Sequence, residues 1–246
     1  MNVFLILLWY FSPEEVKMLE YDVYLLGEKT ENLVIFLQGY NGTIATHQYA
    51  IDWLTDGLQD AVLIVPHAPE ISDKNPERFQ WFGMLKYDAN NLRTKPETST
   101  EEIFAIYNRT ANDMDRCAYE INSFINDMQK IYQIEDKHTF LCGFSQGAML
   151  TIYTALTRPT ELGGAFVLSG LVAGADSLAA KIRSRPQMYM FHGKDDLRVQ
   201  FKTLEQSQKL LTEHNVPLQI QVFDNLEHKM SEEEIAFIAD KINSTL

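Results

Sequence analysis

An α/β architecture, with a mostly parallel sheet covered by helices on both faces, is what this 246-residue sequence predicts. Three observations carry the prediction. Short apolar runs of strand length recur at 22–26, 33–37, 61–65, 138–142, 165–169, 187–191 and 218–223. Helical stretches lie between them, as crossovers between parallel strands require. The runs are apolar with little alternation, as in strands buried on both faces.

Residues 1–20 form an apolar N-terminal extension. The run 3–11 lacks the basic start and small-residue cleavage site of a secretion signal, and it is too short to span a bilayer. It is expected to bury on the body or against the partner of a homodimer, with Met18 as an alternative start. Ser12-Pro13-Glu14-Glu15 reads as a helix start, capped by Ser12 with Pro13 in the first turn. Residues 21–246 are expected to make one domain, because a chain with 46% hydrophobic and 22% charged residues can bury one large core.

Within that domain, run 33–37 ends in the glycine-containing loop Gln38-Gly39-Tyr40-Asn41-Gly42. Residues 83–112 have a polar part, 90–99, that cannot bury much surface; a mobile lid is the expectation. At 113–132, Met114, Cys117, Ala118, Ile121, Ile125, Met128 and Tyr132 recur at helical spacing and form one buried stripe. Run 138–142 leads through Gly143-Phe144-Ser145-Gln146-Gly147 into an apolar helix at 148–156. Run 187–191 delivers His192-Gly193-Lys194-Asp195-Asp196, and run 218–223 delivers Asp224-Asn225-Leu226-Glu227-His228. A last helix follows, with Ser231 as its cap and Glu234 closing a capping box.

The chemistry begins at Gly143 to Gly147. G-x-S-x-G between a strand and a helix is a nucleophile elbow, in which a Cβ at either glycine would obstruct the turn that presents the serine hydroxyl. A serine hydroxyl is a poor nucleophile until a base takes its proton and a carboxylate orients that base. His228 follows the last strand and is the candidate base. Asp195 and Asp196 compete as the acid. The order Ser145, acid, His228 is that of the α/β-hydrolase fold. Acyl transfer also needs oxyanion donors. The Gln146 N–H at the helix start is one candidate, and the Tyr40 N–H in the loop after run 33–37 is the other.

Phe36-Leu37-Gln38-Gly39, Val65-Pro66-His67-Ala68-Pro69, Trp81-Phe82, the elbow, His192-Gly193-x-x-Asp196 and the final histidine together resemble the phospholipase/carboxylesterase family, which contains acyl-protein thioesterases and small bacterial carboxylesterases. The resemblance runs from about Leu33 to the C-terminus. It implies Asp196 rather than Asp195 as the acid, and Trp81 as a wall of the acyl pocket with Phe82 and Phe144 beside it. It also implies a serine hydrolase cleaving carboxylic esters or thioesters through an acyl-enzyme on Ser145. The chain departs from the family pattern at Gln38, where members carry histidine, and at Asn225-Leu226-Glu227, where members carry a glycine. A lysophospholipase or peptidase on the same fold, or a degenerate hydrolase kept as a binding module, is the alternative reading.

Composition bounds the partners. A net charge of −13 with no basic stripe argues against nucleic acid and anionic membrane surfaces. Cys117 and Cys142 imply neither a disulfide framework nor a metal site. No zinc spacing, G-x-G-x-x-G or P-loop occurs, so neither metal nor cofactor is expected. The expected substrate is a small-molecule or lipid acyl ester or thioester, an acylated protein included, met in the cytoplasm.

Overall fold

A computed structural model of the chain describes residues 18–246. The expectations for the 3–11 run and the Ser12 helix start lie outside the described residues. Seven strands form one sheet in the order β1-β3-β2-β6-β7-β8-β9. They are β1 (Tyr21–Leu26), β2 (Asn32–Leu37), β3 (Ala61–Pro66), β6 (Thr139–Phe144), β7 (Gly164–Leu168), β8 (Met188–Gly193) and β9 (Leu218–Phe223). All neighbours pair in parallel except β1, which runs antiparallel along β3 at one edge. A two-stranded antiparallel ribbon, β4 (Glu70–Ile71) with β5 (Phe79–Gln80), stands apart from the sheet.

Helices cover both faces, and strand pleating decides which side chains meet them. Leu33, Ile35 and Leu37 of β2 point into the core under α2 (Thr100–Asn108), α3 (Ala111–Tyr132), α4 (Gln146–Thr157), α5 (Ala175–Leu178) and α6 (Thr203–Glu213). Val34 and Phe36 point the other way, into the core under α1 (Ile44–Gly57) and α7 (Glu232–Asn243), which pack on each other. Every residue of β2, β3, β6 and β7 is buried, and these central strands are apolar apart from Asn32 and Thr139 at the starts of β2 and β6. Edge strand β9 places Gln219 and Val222 outward.

The expected stripe on α3 is buried from Met114 to Met128, with Phe124 added and Tyr132 only partly covered. β6 and β8 each extend two residues past the apolar runs that predict them. β6 continues through Gly143 and Phe144, and β8 through His192 and Gly193, because their parallel neighbours carry the ladder on past the apolar stretch. The extra residues bring Ser145 and the acid loop to the carboxyl ends of the strands, where ligands bind in open α/β sheets.

Ser231 and Glu234 form the expected capping box on α7, the Ser231 hydroxyl accepting from the Glu234 N–H and the Glu234 carboxylate from the Ser231 N–H. Glu234 is fully buried and its Oε1 has no partner. Burial pushes its carboxyl up to about 7, against the Ser231 hydrogen bonds that favour the charged form. In the unfolded chain the group titrates near 4.5, so between those values the unfolded state holds fewer protons than the folded one. Stability falls as pH rises through this window, by an amount on the order of 3 kcal/mol. Thermal unfolding from pH 5 to 8 is expected to show a steeper decline for the natural protein than for Glu234→Gln. Parallel curves would remove Glu234 as the source.

Candidate active site

The elbow is built by close backbone approach. A Cβ on Gly143 would lie 2.4 Å from the Gly147 carbonyl oxygen, and one on Gly147 would lie 2.2 Å from that of Leu37. Only glycine fits either position. Between them Ser145 takes φ 55° and ψ −113°, a conformation that costs a non-glycine residue about 1–3 kcal/mol. The strain is held by the Ser145 N–H donating to Leu168 O and by the Met149 N–H donating to Ser145 O, 2.9 and 3.1 Å.

His228 Nε2 lies 3.0 Å from Ser145 Oγ, and His228 Nδ1 lies 2.7 Å from Asp196 Oδ2. With Nδ1–H donating to the carboxylate, Nε2 is the free acceptor for the serine proton. The other oxygen of Asp196 accepts from the Arg198 and Val199 N–H groups at 2.8 and 3.0 Å. Burial opposes ionisation of Asp196, but the hydrogen bond and charge of His228, then His192 and the Arg198 N–H, hold its carboxyl below the usual aspartate value. Asp196 is 1% exposed, whereas Asp195 is exposed to solvent and makes no contact with His228. His192, fully buried, braces the acid loop by a 2.8 Å contact between its Nε2 and Val199 O.

Tyr40, Gln146, Ser145 and His228 share one cavity of about 220 Å³. Among the described residues no acceptor is found for the Tyr40 N–H, and the Gln146 N–H is the first of α4, where intrahelical partners are lacking. Both are therefore available as donors beside the serine. The Tyr40 hydroxyl donates to Asp73, which fixes the loop from its far end. Gln38, at the family's histidine position, is buried and its amide donates to the Gly42 carbonyl, 3.4 Å away, closing the same loop.

Three expected pocket residues are placed differently. Trp81 and Phe82 are fully buried and line no part of the cavity. Trp81 is a brace: its Nε1 donates to Gln38 O at 2.9 Å, and its backbone N–H donates to Gln146 Oε1 at 3.0 Å. The Gln146 amide in turn donates to Phe82 O at 2.8 Å, so one side chain ties the elbow to the 81–82 segment. Phe144 is also outside the cavity; its ring packs 4.7 Å from that of His228 and supports the base from behind. The apolar walls come instead from Met84, Tyr107, Met149 and Val199.

Segment 83–112, expected as a mobile lid, is hydrogen-bonded to the body along its polar part. The Gln200 amide donates to Arg93 O and Lys95 O, both at 2.8 Å, and Lys202 Nζ donates to Pro96 O and Thr98 O. Arg93 is buried on Asp88 at 2.6 Å, with Asp88 1% exposed at its side chain. The stretch is an anchored wall, contributing Met84, Arg93, Thr94 and Tyr107 to the cavity.

Cys117 and Cys142 are both buried free thiols, and burial pushes the Cys117 thiol up to about 12. Among the described residues, no group of His, Cys, Asp and Glu is placed to hold a metal ion, and no helix is long and apolar enough to cross a membrane.

Comparison with known proteins gives the family and the fold. The model of the phospholipase/carboxylesterase family matches residues 22–246. Carboxylesterase SOBER1 of Arabidopsis thaliana is 31% identical over 113 residues, 45% of this chain and 50% of that protein. Acyl-protein thioesterase 1 of Aspergillus fumigatus is 28% identical over 197 residues, 77% of this chain and 79% of that protein. The chain spans about half the length of the first curated relatives it matches. Among solved structures, esterase PE8 superposes with a TM-score of 0.77 at 22% identity, over 94% of this chain and 100% of that one. Arabidopsis thaliana SOBER1 gives 0.69 at 20% identity, over 87% and 99%. These likenesses establish the α/β-hydrolase fold.

Proposed function

Since the chain belongs to the phospholipase/carboxylesterase family, we propose that it is a serine hydrolase cleaving carboxylic esters or thioesters through an acyl-enzyme on Ser145. One observation carries the proposal: a strained serine, a histidine and a buried aspartate stand in hydrogen-bonded series at the open end of the sheet. Ser145 Oγ attacks the acyl carbon while His228 Nε2 takes its proton. The tetrahedral oxyanion is met by the Tyr40 and Gln146 N–H groups, and the dipole of α4 favours the negative charge there. Collapse breaks the bond to the alcohol or thiol, which leaves with the proton from His228. A water then gives its proton to His228 and attacks the acyl-enzyme, and the acid is released as Ser145 regains its proton. Asp196 stays ionised and orients the imidazole throughout. Trp81, through Gln38 and Gln146, keeps the two oxyanion donors in register.

The acyl-protein thioesterases among the relatives make a protein-bound thioester one substrate within this reading, and a cytoplasmic site of action is part of the same proposal. Covalent labelling by a fluorophosphonate, abolished in Ser145→Ala, is the test. An unlabelled natural protein would leave the binding-module alternative in its place.

The cavity limits chain length. About 220 Å³ is less than the roughly 300–1,000 Å³ of a drug-sized ligand site. Each methylene that does find cover on Met84, Tyr107, Met149 or Val199 contributes about 0.8 kcal/mol. Along 4-nitrophenyl esters from acetyl to octanoyl, kcat/KM is therefore expected to climb over the first carbons and then stop climbing. A continued rise to octanoyl would mean that the anchored 83–112 wall opens.

A further inference from the structure

The chain carries 34 acidic against 21 basic residues, yet among the described residues the cavity at Ser145 is lined by three cations, Lys74, Arg93 and Arg198, and by no carboxylate. This sign reversal is local and built. Arg93 is 6% exposed and locked on Asp88, which also accepts the Leu92 and Arg93 N–H groups and so faces away from the cavity. Asp73, the residue beside Lys74, is occupied by the Tyr40 hydroxyl and by the Leu85 N–H. Among the described residues no carboxylate lies within ion-pair distance of Lys74 or Arg198, and both are exposed at the cavity. The charges share one neighbourhood: burial and then Arg93 and Arg198 pull the Lys74 ammonium below its ordinary value. Asn41 adds a neutral donor, since its Oδ1 accepts from Ser72 Oγ at 2.9 Å and its NH₂ is the end left over in a residue that lines the same cavity.

We infer that the ester hydrolysed at Ser145 carries an anionic group, a carboxylate or a phosphate, received by Lys74 and Arg198 against the fixed guanidinium of Arg93. The inference rests on the serine-hydrolase reading and narrows its substrate class. A surface of net charge −13 repels anions at long range. Unpaired cations at the cavity give such a substrate a local attraction that acts at close range against that repulsion.

The test pairs each anionic ester with a neutral isostere, with the Ser145→Ala protein as the blank for spontaneous hydrolysis. Mono-4-nitrophenyl glutarate and 4-nitrophenyl 4-phosphonobutanoate are each set against 4-nitrophenyl 5-methylhexanoate, and 4-acetoxybenzoate against 4-isopropylphenyl acetate. The expected result is a kcat/KM ratio, anionic over neutral, of about ten or more in at least one pair. The winning pair tells carboxylate from phosphate and the acyl side from the leaving-group side. In a Lys74→Ala/Arg198→Ala double variant the ratio should fall to near one, mostly through KM, and Lys74→Glu/Arg198→Glu should take it below one. Added salt should lower the natural protein's ratio. Hydrolysis of the neutral esters with ratios near one in every pair overturns the inference and leaves the serine-hydrolase reading standing. A high ratio that survives both double variants overturns the assignment to these two cations. Absence of hydrolysis and of fluorophosphonate labelling sinks both readings together.

Discussion

Ester turnover by Ser145→Ala is expected to fall by about a million-fold, to the rate left by binding and the oxyanion donors alone. The reason is geometric. The hydroxyl removed is the group 3.0 Å from His228 Nε2, and among the described residues no other hydroxyl or thiol shares the cavity with the base except Thr94 and two tyrosines on its walls. The fold should be unaffected. Alanine keeps the Cβ, so the strain at φ 55° is the same before and after the change, and the flanking glycines that make the turn are untouched. Circular dichroism and thermal unfolding should overlay those of the natural protein. Hydrolysis within tenfold of the natural rate would remove Ser145 from the mechanism.

The elbow is legible in sequence because its physics is local: glycine is forced at two positions where an added Cβ would lie within 2.4 Å of a backbone oxygen, and strand and helix flank them. His228 is legible from chain order, and Asp196 from the family pattern; solvent access then separates Asp196 from its neighbour. What sequence does not give is the direction a side chain faces. The family resemblance places Trp81 beside the site, but its indole turns inward to Gln38, so the residue expected as a wall is a brace. Residues 90–99 look solvated because their polar side chains carry no period. Their partners, Gln200 and Lys202, lie about a hundred residues away, beyond the reach of any local pattern. Arg93 is buried by a near neighbour, Asp88, but a cation and an anion five residues apart in an irregular stretch show no pattern that marks the pair as buried. The ribbon β4–β5 is missed because two-residue strands have no periodicity to detect.

Asp196→Asn is expected to lower kcat by about ten-thousand-fold, the size of effect that follows when a triad loses its anion but keeps its shape. Asparagine can still accept the Arg198 and Val199 N–H groups through its carbonyl oxygen, so the loop keeps its form. That choice turns the NH₂ toward His228 Nδ1, where the carboxylate oxygen had been 2.7 Å away. A donor there demands that Nδ1 accept, which moves the ring proton to Nε2 and leaves no lone pair for the serine hydroxyl. Asp195→Asn changes an exposed side chain that touches neither ring nor serine and should stay within about threefold of the natural rate. The pair also separates by stability. The folded carboxyl of Asp196 is held below its ordinary value, so its contribution is present at neutral pH and lost as pH falls through that lowered value. Acid unfolding should therefore be less steep in Asp196→Asn than in Asp195→Asn. If kcat instead collapses in Asp195→Asn and survives in Asp196→Asn, the acid is the exposed neighbour and the loop must rearrange to bring it to His228.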